Sequence, residues 1–234
     1  DGNDVLIGGP GTDTLTGGTG NDTLNGGLFH DVGYVGDGDD LFQITNNDLA
    51  DDVYGGTGHN TLDLSGVNTY GLTVNLAAEA YDFIPSFDGP YVVQNVQDVI
   101  GSNQADVITG DGAANVLTGG GGNDTLNAGI NVDTVYGGEG DDLLIYSSGE
   151  SFDHFNGGNG NDTVSIDWTE SMVYDLAGGT YHQSGFALIF DLIGVENLLS
   201  LGVGNDTLIG SAANNLMDGG AGNDSISSGG GSDT

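Results

Sequence analysis

Along this chain the large apolar residues keep time with turns rather than with one another. Leu15, Leu24, Leu117, Leu126 and Leu208 each stand two places after an aspartate or asparagine, and each follows a glycine-rich stretch. The clearest copy is Gly119-Gly120-Gly121-Gly122-Asn123-Asp124-Thr125-Leu126-Asn127. Counted from Gly119, glycine is expected at positions one, two and four, aspartate at six and a large apolar residue at eight. The same nine-residue frame fits 8–16, 17–25, 137–145, 157–165 and 219–227. An apolar residue next to a turn predicts a short strand with that side chain pointing inward, so turn and strand together make half a coil. A unit this small cannot bury a core alone and must stack on its neighbours.

Position six falls on Asp4, Asp13, Asp22, Asp31 and Asp40 without a skipped residue, and again on Asp106, Asn115, Asp124, Asp133 and Asp142. The frame 26–34 is poor, with Phe29 at position four and Gly33 at eight. The next clear frame, from Gly55 to Leu62, comes 20 residues later, as though one degenerate nine and two extra residues intervened. From 62 to 100 the period gives way to alternation at Leu72, Val74 and Leu76, then to Tyr91, Val92, Val93 and Val96. These predict ordinary strands of period two, separated by a loop holding Pro85 and Pro90. The whole order then recurs at an offset of 102, the 20-residue gap included, with a second non-periodic region over 172–201. A third block runs from Asp206 through Asn215, Asp224 and Asp233. The predicted organisation is a first super-repeat over 1–105 (roll 1–62, strands 63–100), a second over 106–205 (roll 106–165, strands 166–201) and the start of a third over 206–234. The chain opens and closes inside a repeat without an atypical capping unit, which predicts a portion of a longer array.

Composition says what holds such a stack. With 46 glycines in 234 residues and 36% hydrophobic residues, core material is scarce. There are 35 acidic residues and no lysine or arginine, for a formal charge of −35. Such a chain repels itself and stays expanded unless cations bind it. The same charge argues against nucleic acid and against docking on anionic lipid. Absence of cysteine rules out a disulfide scaffold, no apolar run has the length for membrane insertion, and the amino terminus is not a signal peptide. Divalent cations are the expected partner. Calcium takes six to eight oxygens from carboxylates and backbone carbonyls. Glycine reaches positive φ at little cost and can aim several carbonyls at one point.

Catalysis finds no support. His30, His59, His154 and His182 are scattered, no His-Glu-x-x-His occurs, and they read as surface or turn histidines. Glycine-rich matches to a nucleotide fingerprint do not lie between a strand and a helix, and no acidic loop ends in the glutamate an EF-hand needs. Phe152, Phe155, Trp168, Phe186 and Phe190 could line a sugar site but read as core of the strand region. The chain is therefore expected not to be an enzyme.

The Gly-Gly-x-Gly-x-Asp-x-apolar-x frame resembles the calcium-binding nonapeptide of the repeats-in-toxin (RTX) family, found in secreted proteases, lipases and haemolysins of Gram-negative bacteria. The resemblance covers nearly the whole chain. It implies an all-β fold, a parallel β-roll (β-solenoid) of glycine-rich nonapeptides interrupted here by non-periodic β-strand regions. Two nonapeptides would form each coil, with calcium held between turns 18 residues apart. The strands leading into Val99-Ile100-Gly101 and Val195-Glu196-Asn197-Leu198 also resemble the region beside the roll in serralysin-type proteases, with no catalytic implication.

Carried onto this chain, the resemblance implies calcium between the turns of Asp4 and Asp22, Asp22 and Asp40, Asp13 and Asp31, Asp124 and Asp142, and Asp206 and Asp224. The implied carboxylate ligands are Asp4, Asp13, Asp22, Asp40, Asp124, Asp142, Asp162, Asp206 and Asp224, with Asp31, Asp106, Asp133 and Asp233 weaker. The implied carbonyl ligands are Gly9, Gly11, Gly18, Gly20, Gly36, Gly38, Gly120, Gly122, Gly138, Gly140, Gly158, Gly160, Gly220 and Gly222, for roughly ten ions. One side of the roll is expected to carry Asp22, Asp40, Asp124, Asp142, Asp206 and Asp224, with Asp106 an exception because Gln104 stands at position four. The other carries Asn115 and Asn215 behind Ala113 and Ala213, and Asp133 behind Asn131. It is expected to bind calcium weakly or not at all in the later blocks, because losing the carboxylate removes charge and losing the glycine restricts the carbonyls.

The expected role is a rigid extracellular rod, part of a secreted or cell-surface adhesin, surface-layer or filament protein, folding when calcium outside the cell binds it. Its partners would be calcium ions and neighbouring repeats or further copies of itself. An accessory secretion and folding domain of a secreted protease or lipase is the alternative, and a glycan-binding module built on the non-periodic strands is a third. Flanking sequence would separate the first two. The family also implies type I secretion.

Overall fold

A strand of three to six residues cannot stand alone, so each nonapeptide must find a partner in another coil. The computed structural model, which describes residues 1–46, 51–85, 89–146, 152–187 and 189–234, shows how. Each turn leads into a short strand: Thr23–Leu28 follows Asp22, and Thr125–Asn127 follows Asp124. Successive strands alternate between two walls, so that strands two nonapeptides apart pair in parallel, as Val5–Pro10 does with Thr23–Leu28. One wall has 13 strands and the other 12. At about 4.8 Å per strand the stack is about 60 Å long. This is the parallel β-solenoid expected, and no helix occurs among the described residues.

The core is built on one continuous column of apolar side chains per wall, with Ile44, Leu64, Tyr146 and Ile166 buried beside them. In the 13-stranded wall Leu24, Phe42, Leu62, Val99, Leu117, Val135 and Phe155 lie in register. In the other, Val74, Ile108, Leu126, Leu144, Val164 and Leu198 do the same. All of them are buried, as are Leu15 and Leu208. The one break in the apolar pattern has a packing cause. A side chain at Gly33 would overlap the ring of Phe42, which fills the space that a position-eight side chain would take.

The non-periodic regions are antiparallel three-strand meanders set into this stack. The first consists of Gly71–Asn75, Ala80–Ile84 and Tyr91–Gln94, the second of Met172–Asp175, Thr180–Gln183 and Phe190–Ile193. Alternation holds in the first, where Leu72, Val74, Leu76 and Val93 are buried; residues 86–88 of the loop between Pro85 and Pro90 lie outside the described residues. Each meander docks through a tyrosine: the Tyr81 hydroxyl donates to the Asp51 carbonyl at 2.8 Å, and that of Tyr181 to the Asp153 carbonyl at 2.8 Å. Phe152, Phe155, Trp168 and Phe190 pack into or against the core, Phe152 stacking on Phe190 at 4.4 Å. Phe186 corrects the expectation for this group. It is 62% exposed, because it sits in the turn after Thr180–Gln183, beyond the reach of the core.

A second correction concerns the two sides of the roll. The strands that follow Asp22, Asp40, Asp206 and Asp224 belong to the 13-stranded wall, but those that follow Asp124 and Asp142 belong to the 12-stranded wall. The neutral positions are divided in the same way, Val116–Gly121 after Asn115 lying in the first wall and Met217–Asp218 after Asn215 in the second. The cause is parity. A meander adds three strands to one wall but takes only one place in the alternation, so the chain crosses between walls an odd number of times per super-repeat. The first meander accordingly enters the 12-stranded wall and the second the 13-stranded wall.

Candidate metal centre

The turn is shaped around its aspartate. At position one, a side chain on Gly119 would overlap Oδ2 of Asp124, whereas the Asp133 and Asp233 turns carry Ala128 and Ser228 at this position. At positions two and four the backbone takes positive φ, +109° at Gly120 and +107° at Gly122. All the glycines named above as carbonyl ligands share this conformation. Phe29 and Asn131, at position four of the Asp31 and Asp133 turns, keep it without glycine, at φ 81° and 93°. Ala113 and Ala213 do not.

Stacked coils turn these aspartates into ladders. Oδ1 of each rung accepts the backbone N–H of the rung one coil earlier. Asp22 thus accepts from Asp4 at 2.8 Å, Asp40 from Asp22 at 2.7 Å, and Asp31 from Asp13 at 2.5 Å. Along the second block Asp124 accepts from Asp106, Asp142 from Asp124 and Asp162 from Asp142, at 2.8–2.9 Å. Asp133 and Asp233 accept from Asn115 and Asn215, and Asp224 from Asp206. The other oxygen has no such donor. Oδ2 of Asp13, Asp22, Asp31, Asp40, Asp124, Asp133, Asp142 and Asp162 is buried without a hydrogen-bond partner. A buried carboxylate oxygen left this way costs several kcal/mol unless a proton or a cation meets it. No three acidic or histidine side chains converge on one metal-sized point among the described residues, so a cation here must draw the rest of its coordination from backbone carbonyls. Carbonyls of the positive-φ turns would complete an oxygen-only set, the kind calcium takes.

Two of the expected ligands stand apart. Asp106 accepts from the Ser102 N–H at 2.6 Å and from the Ser102 hydroxyl at 3.0 Å. Asp206 accepts from the Ser200 hydroxyl at 2.7 Å and the Met172 N–H at 2.8 Å. At the meander junctions a serine satisfies the carboxylate oxygen that is left without a donor in the other rungs.

The ladders also contain rungs that sequence reading missed. Asp51 accepts the Asp31 N–H and Asp153 the Asp133 N–H, each 20 residues on, and both side chains are fully buried. These are the rungs of the degenerate nines. Their signal was present as Asp-x-apolar-x-Gly-Gly at Asp51-Asp52-Val53-Tyr54-Gly55-Gly56 and Asp153-His154-Phe155-Asn156-Gly157-Gly158. What hid it is the missing glycine turn upstream; residues 47–50 and 147–151, where the extra residues fall, lie outside the described residues. Where the meanders return to the roll, Gln97 and Glu196 act as rungs, accepting from the N–H of Asn60 and Asp162 at 2.8 and 2.9 Å. The histidines are on the surface as expected, but His30, His59 and His154 each face an aspartate, Asp52, Asp98 and Asp191, at 2.9–3.3 Å.

Burial pushes the rung carboxyls upward. Asp124 rises to about 7, chiefly by desolvation and also by the like charges of Asp106 and Asp142, against the N–H it accepts from Asp106. Desolvation likewise takes Asp106, Asp133 and Asp162 to about 6, and raises Asp40 and Asp142. A carboxyl whose folded pKa lies above its unfolded value of 3.8 holds more protons in the folded state between the two, so that contribution to stability is lost as pH rises through the window. The metal-free chain is therefore expected to gain β structure in chelator on acidification from about pH 7.5 to about pH 5. The folded chain's apparent affinity for calcium should fall over the same interval as protons compete for Oδ2. Circular dichroism at fixed chelator would read the first effect, and a flat response between these pH values would contradict the burial.

A family model described as the RTX calcium-binding nonapeptide repeat (4 copies) matches residues 1–33, 100–134, 109–144, 128–152, 145–165 and 201–234. Together these cover more than half of the chain, and the stretches between them contain both meanders. No curated protein matches the chain.

Proposed function

The chain belongs to the RTX calcium-binding nonapeptide repeat family, and from that premise we propose that it is a structural rod whose folding is driven by calcium outside the cell. The observation that carries this reading is the set of eight buried Oδ2 atoms without a donor, stacked one coil above another. Bound calcium supplies the positive charge and the demand for six to eight oxygens that this donor set matches. The chain's own part is positional. Beyond the first coil, with Asp4 and Asp13, each of these rungs has its Oδ1 fixed by the N–H of the coil before it, which leaves Oδ2 for the cation. In the intact turns the first-position glycine keeps the space beside Oδ2 open, and the glycines at two and four present carbonyls. The ligands proposed are Asp4, Asp13, Asp22, Asp31, Asp40, Asp124, Asp133, Asp142, Asp162, Asp224 and Asp233, for roughly ten ions.

In this reading the role is structural and not catalytic. Low calcium inside the cell keeps the chain expanded and competent for export by a type I route, and folding follows outside, where the rod serves a secreted or surface-attached protein. A charge of −35 without any lysine or arginine supports the expanded state. Isothermal titration of the metal-free chain tests the binding: several calcium ions per chain are expected, with magnesium failing to replace them because it demands a tighter octahedral geometry and sheds water reluctantly. No heat of calcium binding, or equal uptake of magnesium, would overturn the proposal.

A further inference from the structure

We propose that a cation site outside the 18-residue frame lies where the second meander rejoins the roll, formed by Asp162, Glu196 and the Gly194 carbonyl, and that asparagine closes its first-super-repeat counterpart instead. The inference rests on the calcium reading above and extends it to a pair of coils that no nonapeptide links.

The argument comes from comparing two equivalent junctions. In the first, the rungs in succession are Asn60, Gln97 and Asn115; in the second they are Asp162, Glu196 and Asn215. The hydrogen bonds correspond. The Asn60 N–H donates to Gln97 Oε1 at 2.8 Å and the Asp162 N–H to Glu196 Oε2 at 2.9 Å. Asn115 donates through Nδ2 to the Gln97 carbonyl, and Asn215 to the Glu196 carbonyl.

The difference lies at one atom. Nδ2 of Asn60 donates to the carbonyls of Gly55 and Asn95, both at 3.0 Å, so the first junction is neutral and fully bonded. A side chain on Gly55 would overlap the Asn95 carbonyl and come within 2.8 Å of that nitrogen. At the second junction a side chain on Gly157 would overlap the Gly194 carbonyl and come within 2.6 Å of Asp162 Oδ2. Oδ2 thus occupies the place of the amide nitrogen, beside the equivalent carbonyl, but it is an acceptor facing an acceptor. Asp162 is fully buried and its Oδ2 has no partner. Two oxygens converging without a hydrogen between them call for a cation, and the neighbouring acid Glu196, where the first junction has neutral Gln97, adds the second charge. An oxygen-only set with two carboxylates selects a hard divalent ion, calcium in this chain.

Equilibrium dialysis of the full chain against saturating calcium, with bound metal counted by atomic emission, tests this. The double variant Asp162→Asn/Glu196→Gln is expected to bind one ion fewer than wild type and to keep its β signal, since the new amide can donate to the Gly194 carbonyl. The reverse double variant Asn60→Asp/Gln97→Glu is expected to bind one ion more. If the first variant fails to fold, the second decides alone. An unchanged count in the reverse variant, with wild type loaded, overturns this site and leaves the calcium reading standing; a wild type that takes up no calcium overturns both.

Discussion

In chelator at neutral pH the chain is expected to lose most of its β signal and to expand, and added calcium is expected to restore both in one cooperative transition. The ladder geometry is the reason. Neighbouring rungs are one strand apart, about 5 Å, so two ionised carboxylates repel by about 3 kcal/mol at an effective dielectric of about 20. Asp106, Asp124, Asp142 and Asp162 form three such neighbouring pairs in a single column. With all four ionised their repulsion would come to about 10 kcal/mol, as large as the whole stability of an ordinary domain, and partial protonation of Asp124 at neutral pH relieves only part of it. No lysine or arginine exists to offset it. Circular dichroism and light scattering during a calcium titration would follow the two changes together, with magnesium as the control. A spectrum unaltered by chelation would mean that the apolar columns hold the roll without metal.

Replacing Gly138 by alanine should be strongly damaging. Gly138 has φ +121°, a conformation open to few residues but glycine, and its new Cβ would overlap the Gly120 carbonyl of the coil below and lie 2.9 Å from that carbonyl carbon. The obstacle is backbone on both sides and cannot swing away. Conformational strain alone costs about 1–3 kcal/mol, and the coils must also part, so the total should be about 3 kcal/mol or more in saturating calcium. Gly121→Ala is the matched control, since its Cβ would meet Asn103 at an ordinary 3.5 Å and its φ is not positive. Urea unfolding should show a markedly lower midpoint for Gly138→Ala and little change for Gly121→Ala. Equal midpoints would show that the coils are spaced more loosely than the stacked carbonyls indicate.

Much of this architecture is written in the nine-residue frame because the frame is both a conformational and a packing code. Asp124 and Leu126 are two residues apart, so both point inward, one beneath the turn and the other into the core, and the next coil repeats the choice. Rungs without the glycine turn were harder to read: Asp51 and Asp153 carry the aspartate and the apolar residue but not the glycines before them. Gln97 and Glu196 were invisible as rungs because the chain leaves the roll for a whole meander before they return to it, and only the N–H of Asn60 or Asp162 identifies the neighbour they cap. The assignment of sides failed for a different reason. Counting in nines treats each interruption as neutral, whereas a meander replaces one crossing between walls and reverses the phase of all that follows.

That reversal has a geometric result for recognition. Successive meanders face opposite flanks of the rod, so a longer array of such units would present them alternately left and right. A flat partner lying along one flank could engage only every second unit. A soluble partner binding at the meanders would decorate both flanks, and one with two binding sites could bridge parallel rods into a sheet.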